Sequence, residues 1–101
     1  MTKRGKDHLA ELPVDRGRVE AHKRRMLAEI RGQWLRERRE GLGLTQAQLA
    51  KSISVGARLV SRIERGDLDG VRIGILRAHA AALGAELSVS SVVGDARTRI
   101  G

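Results

Sequence analysis

The sequence predicts a mainly α domain, a bundle of short helices with a helical extension on its N-terminal side and a short C-terminal β-strand or hairpin. Three observations carry this expectation. Trp34 is the only aromatic residue among 101, so the core is built from Leu, Ile, Val and Ala, which suit close helix packing better than a sheet sandwich. Apolar residues recur at helical spacing through most of the chain, with glycines where helices should stop. Only near the C-terminus does the period fall to two.

Residues 1–14 mix charges with Gly5 and Pro13 and hold few apolar groups, a composition that does not offset the entropy of ordering, and they are expected to form a mobile basic arm. From about Asp15 to Glu40, Val19, Met26, Leu27, Ile30, Trp34 and Leu35 recur at intervals of seven, four and three, along one side of a helix or of two consecutive helices. Arg18, Lys23, Arg25, Arg36 and Glu40 fall on the other side, and Gly32 is a candidate break. Ile30, Trp34 and Leu35 are expected in the core, while Val19, Met26 and Leu27 exceed what a small domain needs to bury.

Gly41 and Gly43 end this segment, and Thr45-Gln46-Ala47-Gln48 has the capping-box pattern of a hydroxyl followed three residues later by a side-chain amide. A helix is predicted from Gln46 to about Ile53, a turn over Ser54-Val55-Gly56, and a second helix from Ala57 to Arg65 stopped at Gly66. Beyond the acidic loop of Asp67 and Asp69, a helix over Arg72–Leu83 turns Ile73, Leu76, Ala80 and Leu83 inward and ends at Gly84. Glu86 to Val92 then alternates as a half-buried strand does, and Gly94-Asp95 turns the chain toward a short second strand near Arg97–Ile100.

Composition removes several classes of function. Without cysteine there is neither a disulfide framework nor a thiolate metal site. His8, His22 and His79 lack ligand spacing, so no metal or other cofactor is expected. No apolar run approaches the ~18 residues that span a bilayer, and Met1–Lys6 lacks the hydrophobic stretch of a secretory signal, so a cytoplasmic protein without a membrane partner is expected. Nor does any nucleophile with a base, carboxylate pair or phosphate-binding glycine loop stand in a plausible site, so the chain is not expected to be an enzyme. The formal charge is +8, with residues 1–40 carrying 12 Lys and Arg against 7 acids, and residues 41–101 carrying 8 against 5. Such an excess fits a polyanionic partner or a basic solvated face equally well.

The two helices around Ser54-Val55-Gly56 can form a helix-turn-helix, in which the second helix enters the major groove and the first braces it across the phosphates. Leu49, Ala50, Ile53, Val55, Val60 and Ile63 read as inward positions, and Ala50 permits the close crossing. Ala57, Arg58, Ser61, Arg62 and Arg65 remain outward, able to donate to guanine edges or phosphates, though a helix with a basic solvent face presents the same set.

The run Leu44-Thr45-Gln46-Ala47-Gln48-Leu49-Ala50, followed without a gap by Val60-Ser61-Arg62-Ile63-Glu64-Arg65-Gly66, resembles the Cro/C1-type, or XRE, helix-turn-helix. The resemblance covers about residues 30–84 and implies a lambda-repressor-like bundle that binds double-stranded operator DNA. It implies phosphate contacts from Thr45 and Gln46, base contacts from Ala57, Arg58, Ser61 and Arg62, and an internal ion pair between Arg39 and Glu64. Two positions depart from the pattern: Ser54 replaces the usual turn glycine and Gly56 the usual Ser or Thr cap, which leaves the start of the second helix prone to fray. Leu59 stands where a polar group is common and is expected to pack inside.

The order of basic helical extension, helix-turn-helix, Ala82-Leu83-Gly84-Ala85-Glu86-Leu87 and strand tail is similar to HigA-type antitoxins, which neutralise a RelE-like messenger-RNA-cleaving toxin and repress their own operon. The resemblance implies a cognate toxin as partner, for which Val19, Met26 and Leu27 are the candidate contacts. A lone strand over residues 85–101 has two open edges, so Leu87, Val89 and Val92 are candidate dimerisation residues of a homodimer. A stand-alone phage-type or housekeeping repressor, and a factor bridging transcription proteins, are the alternative readings.

Overall fold

Asp15 starts the first helix, its carboxylate Oδ1 accepting the Arg18 backbone N–H at 3.0 Å. In the computed structural model, which describes residues 15–101, helix α1 covers Arg16–Gly41, α2 Gln46–Ser52, α3 Ala57–Glu64 and α4 Ile73–Ala82. Strands β1 (Ser90–Val93) and β2 (Ala96–Arg99) complete the fold. The arm expected over residues 1–14 lies outside the described residues.

α1 is one unbroken helix of 26 residues, about 39 Å long at 1.5 Å per residue. Of the two readings left open, one helix or two, the structure has one, and Gly32 does not break it. A Cβ on Gly32 would lie 2.3 Å from the Glu64 carbonyl oxygen, so this glycine lets the end of α3 rest directly on α1. Gly66, at φ +85°, makes the reciprocal approach: a Cβ there would lie 2.4 Å from the Ala28 carbonyl oxygen.

This crossing fixes the rotation of α1 and corrects one expectation. With Ala28, Gly32, Leu35 and Arg39 turned toward the bundle, positions two residues away point about 160–200° round the helix. Ile30 is 62% and Trp34 53% exposed, and only Leu35 of the expected core trio packs against the buried cluster. That cluster joins Leu49, Ala50, Val60 and Leu83, with Val55 and Ala82 at its edge, and Ile63 and Ala80 are also buried.

All four helices end alike. The amide two residues past each cap returns to a carbonyl in the last turn: Leu44 to Arg39, Val55 to Ala50, Asp67 to Arg62 and Ala85 to Ala80. Gly43, Gly66 and Gly84 supply the positive φ that this ending requires, and Ser54 supplies it at φ 60° after α2. α1 reinforces two of these ends. Arg31 Nη2 donates to Gly66 O at 3.2 Å, and Arg38 Nε donates to Leu83 O at 2.8 Å.

On α4, Ala80 and Leu83 are buried and Leu76 is half-buried, but Ile73, its first residue, is exposed and His79 is buried instead. The C-terminal segment is a hairpin rather than a lone strand. Ser90 pairs with Arg99 and Val93 with Ala96, antiparallel, around Gly94 at φ 58°. That left-handed glycine permits the two-residue turn, so each strand keeps one open edge instead of two. The ladder starts four residues later than the alternation predicts, although Val89 exchanges backbone hydrogen bonds with Ile100 and Gly101.

The crossing at Gly32 has a direct test. In an open helix Gly→Ala gains about 1 kcal/mol, and Gly74 in α4, with nothing near its Cβ position, should show such a gain. Gly32→Ala should instead lose about 1 to 3 kcal/mol through overpacking, as measured by urea unfolding of the two variants.

Candidate nucleic-acid interface

The capping box at α2 is complete: the Thr45 hydroxyl accepts the Gln48 N–H at 3.0 Å, and Gln48 Oε1 accepts the Thr45 N–H at 2.8 Å. Since the hydroxyl oxygen serves as the cap acceptor, its hydrogen stays available to a phosphate outside. α2 turns into α3 through Ser54, whose left-handed backbone costs about 1–2 kcal/mol relative to an unstrained residue. Gly56 caps α3 without a side-chain hydrogen bond, so α3 is positioned from its far end.

At that far end lies a buried ion pair. Arg39 Nε donates to Glu64 Oε2 at 2.6 Å and Arg39 Nη2 to Glu64 Oε1 at 3.1 Å, with Arg39 7% and Glu64 8% exposed. Two further hydrogen bonds extend the pair: Arg39 Nη1 donates to Leu44 O at 2.7 Å, and Gln46 Nε2 donates to Glu64 Oε1 at 3.0 Å. One guanidinium thus ties together α1, the loop before α2, and α3. Burial pushes the Glu64 carboxyl upward, but the hydrogen bonds from Arg39 and Gln46 and the Arg39 charge outweigh it, leaving the carboxyl below its ordinary value. The hydrogen bond to Glu64 holds the Arg39 guanidinium above its own ordinary value, against the opposing effect of burial.

The residues expected to face DNA divide into three groups. Ala57 and Arg58 are exposed at the start of α3, and Arg58 makes no side-chain hydrogen bond among the described residues. Arg65 Nη1 donates to Ser61 Oγ at 2.7 Å, which aligns both along the same flank. Arg62 is turned aside: its Nε donates to Asp67 Oδ2 at 3.2 Å and its Nη2 to Asp69 O at 2.6 Å, so it organises the loop after α3. The hydrogen bond from Arg62, seconded by the Asp69 N–H, holds the Asp67 carboxyl below its usual range. Leu59 is half-buried, and Gln46 reaches inward to Glu64 while remaining partly accessible. Between α1, α2 and α3 a polar cleft of about 340 Å³ is lined by Arg36, Gln46, Ser61 and Arg65 above the ion pair.

The other expected contacts lie apart from this face. Val19, Met26 and Leu27 are exposed along α1. Leu87 and Val89 are half-buried beside the hairpin, and Val92 is exposed on β1. Among the described residues no cluster of His, Cys, Asp or Glu has metal-binding geometry, and no helix is long and apolar enough to cross a membrane. Sequence reasoning missed the structural work of Arg31 and Arg38, for which no local signal exists. It also assigned Ile30 and Trp34 to the core, whereas with Met26 they line an exposed apolar groove on α1.

His79 lies behind the ion pair, buried with Nε2 lacking a hydrogen-bond partner among the described residues. Burial lowers its pKa, partly offset by the negative charge of Glu64. Both shifts give stability the same dependence on pH. Below about pH 6.5 the unfolded chain protonates His79 before the folded chain does, so stability falls. Glu64 adds stability that is full above about pH 4.3 and is lost as pH falls through its lower folded value. Urea unfolding from about pH 2.5 to 8 should therefore show a plateau above pH ~7 and a two-stage decline, the second stage below about pH 4.3. His79→Leu should remove the upper stage, while Glu64→Gln should lose about 3–5 kcal/mol at neutral pH because the Arg39 charge is left buried and unpaired.

Comparison with known proteins bears on this architecture. Residues 35–89 match the Helix-turn-helix family. The chain is 41% identical over 95 residues to the Mycobacterium tuberculosis antitoxin HigA2, covering 94% of this chain and 92% of that one. It is 33% identical over 90 residues to the antitoxin HigA3 of the same organism, covering 88% and 83%. Among solved structures it is similar to a HigA antitoxin described by induced DNA bending through unique dimerization (TM-score 0.45, 36% identity, 65% of this chain and 88% of that one). It is also similar to a DNA-bound antitoxin HigA3 (TM-score 0.47, 35% identity, 64% and 85%). With an XRE-type helix-turn-helix matched over more than half its length and HigA relatives aligned almost end to end, the chain belongs to the HigA-type antitoxins.

Proposed function

We propose that this protein is the antitoxin of a type II toxin–antitoxin system, acting by binding alone: it neutralises a RelE-like messenger-RNA-cleaving toxin and represses its own operon. The observation that carries the DNA-binding half is the open start of α3, where Ala57 and Arg58 project beside the Ser61–Arg65 pair. α3 enters the major groove, about 12 Å wide. Arg58 reads a guanine O6/N7 edge, Ala57 meets a thymine methyl or the groove floor, and Ser61 takes a neighbouring base. Thr45, Gln46 and Arg65 hold phosphates on either side, and Arg62 joins them when the duplex draws it from Asp67. The +8 charge favours the encounter with DNA.

A homodimer places two copies of α3 about 34–36 Å apart on a pseudo-palindromic operator. The hairpin, with Leu87, Val89 and Val92, forms its interface through an open strand edge. Val19, Met26 and Leu27, exposed along α1, contact the toxin. Residues 15–40 thus join a partner-binding extension to the first bundle helix, residues 30–84 form the DNA-binding domain, and residues 85–101 the dimerisation region.

Arg58→Ala should weaken binding to the operator by about 1–3 kcal/mol and binding to random duplex by much less. Equal losses on both, measured by fluorescence anisotropy at fixed salt, would reduce Arg58 to a phosphate contact. Co-expression with the nuclease-like product of its operon should restore growth, and Val19→Glu with Leu27→Glu should abolish the rescue. Rescue left intact by this double variant would remove these residues from the toxin interface.

A further inference from the structure

The face of α1 opposite the bundle carries a groove of about 470 Å³ lined by Met26, Glu29, Ile30, Gln33, Trp34 and Glu37. Its floor of Met26, Ile30 and Trp34 is apolar and 48–62% exposed, and it holds the protein's only aromatic side chain. Large apolar side chains gathered on one exposed face mark interaction surfaces far more often than they serve stability. The bundle cannot cover this face, because the approach of Glu64 to Gly32 fixes the opposite side of α1 against α3.

The charge around the groove selects its occupant. Arginine and lysine exceed acids by eight in this chain, and the acids Glu20, Glu40 and Glu64 each have a cationic partner. Glu29 and Glu37 form no salt bridge among the described residues, and both stand on the groove. Two carboxylates with no partner among the described residues, beside an apolar floor, repel nucleic-acid phosphates. They also oppose self-association. An antiparallel pair of α1 helices centred on Gln33 sets Glu29 against Glu37 of the second copy, and a parallel pair sets each carboxylate against its own counterpart. A surface that is both apolar and cationic satisfies the groove.

We propose that this groove docks the toxin through a segment carrying an apolar side chain flanked by Lys or Arg, with Trp34 and Ile30 as the anchor and Glu29 and Glu37 as the charge partners. A protein that cleaves messenger RNA presents cations to phosphates, and the two glutamates offer carboxylates in their place. This inference rests on the antitoxin reading and extends the toxin contact from Val19, Met26 and Leu27 onto the middle of α1. The groove shares no residue with α3, so Ala57, Arg58, Ser61 and Arg65 take no part in this docking.

The test is co-expression with the toxin of the same operon, capture on tagged antitoxin, and titration of the pair at low and high salt. Two variants are compared with the wild type: Glu29→Lys with Glu37→Lys, and Trp34→Ala. Circular dichroism and operator affinity report that each is folded; all three side chains are exposed. Each variant should weaken toxin binding at least about tenfold, as truncation of a buried anchor does. The charge reversal should lose its effect as salt rises, and the Trp34 change should not. If both variants bind toxin as the wild type does, the groove assignment is overturned while the antitoxin reading stands. If the wild type itself captures no toxin, both fall. If the variants alter the mass of the free protein by light scattering but not toxin capture, the groove is a self-association surface and the proposal is wrong.

Discussion

The Arg39 guanidinium and the Glu64 carboxylate meet below the surface at 2.6 Å, and the placement of α3 follows from that meeting. The start of α3 has no side-chain cap and follows a strained serine, so little holds it from that end. Its other end is fixed three times over: by the ion pair, by the backbone of Glu64 seated on Gly32, and by Arg31 on the Gly66 carbonyl. A buried pair of this kind is weak evidence for net stability, since two charges must lose their water. Its value here is geometric. All three Arg39 guanidinium nitrogens and both Glu64 oxygens have hydrogen-bond partners, so a sliding or rotated α3 would leave largely buried charges unpaired.

α1 serves as a rod with two working sides. One side holds Ala28, Gly32, Leu35 and Arg39 against the bundle, and its arginines brace the ends of neighbouring elements. The other side presents the Met26, Ile30 and Trp34 floor. Part of the positive charge is therefore structural. Arg31, Arg38, Arg39 and Arg62 answer carbonyls or carboxylates of the same chain, leaving a smaller set, Arg58 and Arg65 foremost, for a polyanion.

Local rules were readable from the sequence wherever one or two residues decide the outcome. Thr45 with Gln48 fixes a helix start, Gly43, Gly66 and Gly84 fix three helix stops, and Gly94 permits the hairpin turn. Readings that need tertiary register were not. A guanidinium on a helix can face solvent, a phosphate or a distant carbonyl, and nothing near Arg38 in sequence points to Leu83. Ile30 and Trp34 fall on an apolar stripe, but periodicity says only that they share a face and not what covers it. Gly32 carried the missing clue: a glycine inside an otherwise favourable helix signals a close backbone approach as readily as a break.

The central claim is that the exposed flank of α3, held by the Arg39–Glu64 clamp, is the surface that meets DNA. Amide chemical-shift mapping during titration with operator duplex addresses it directly. The account predicts the largest changes at Thr45–Ala47 and from Gly56 to Ser61, with Met26 to Trp34 almost unmoved. Shifts concentrated on the outer face of α1 or on the hairpin, with Ala57, Arg58 and Ser61 silent at saturation, would contradict it.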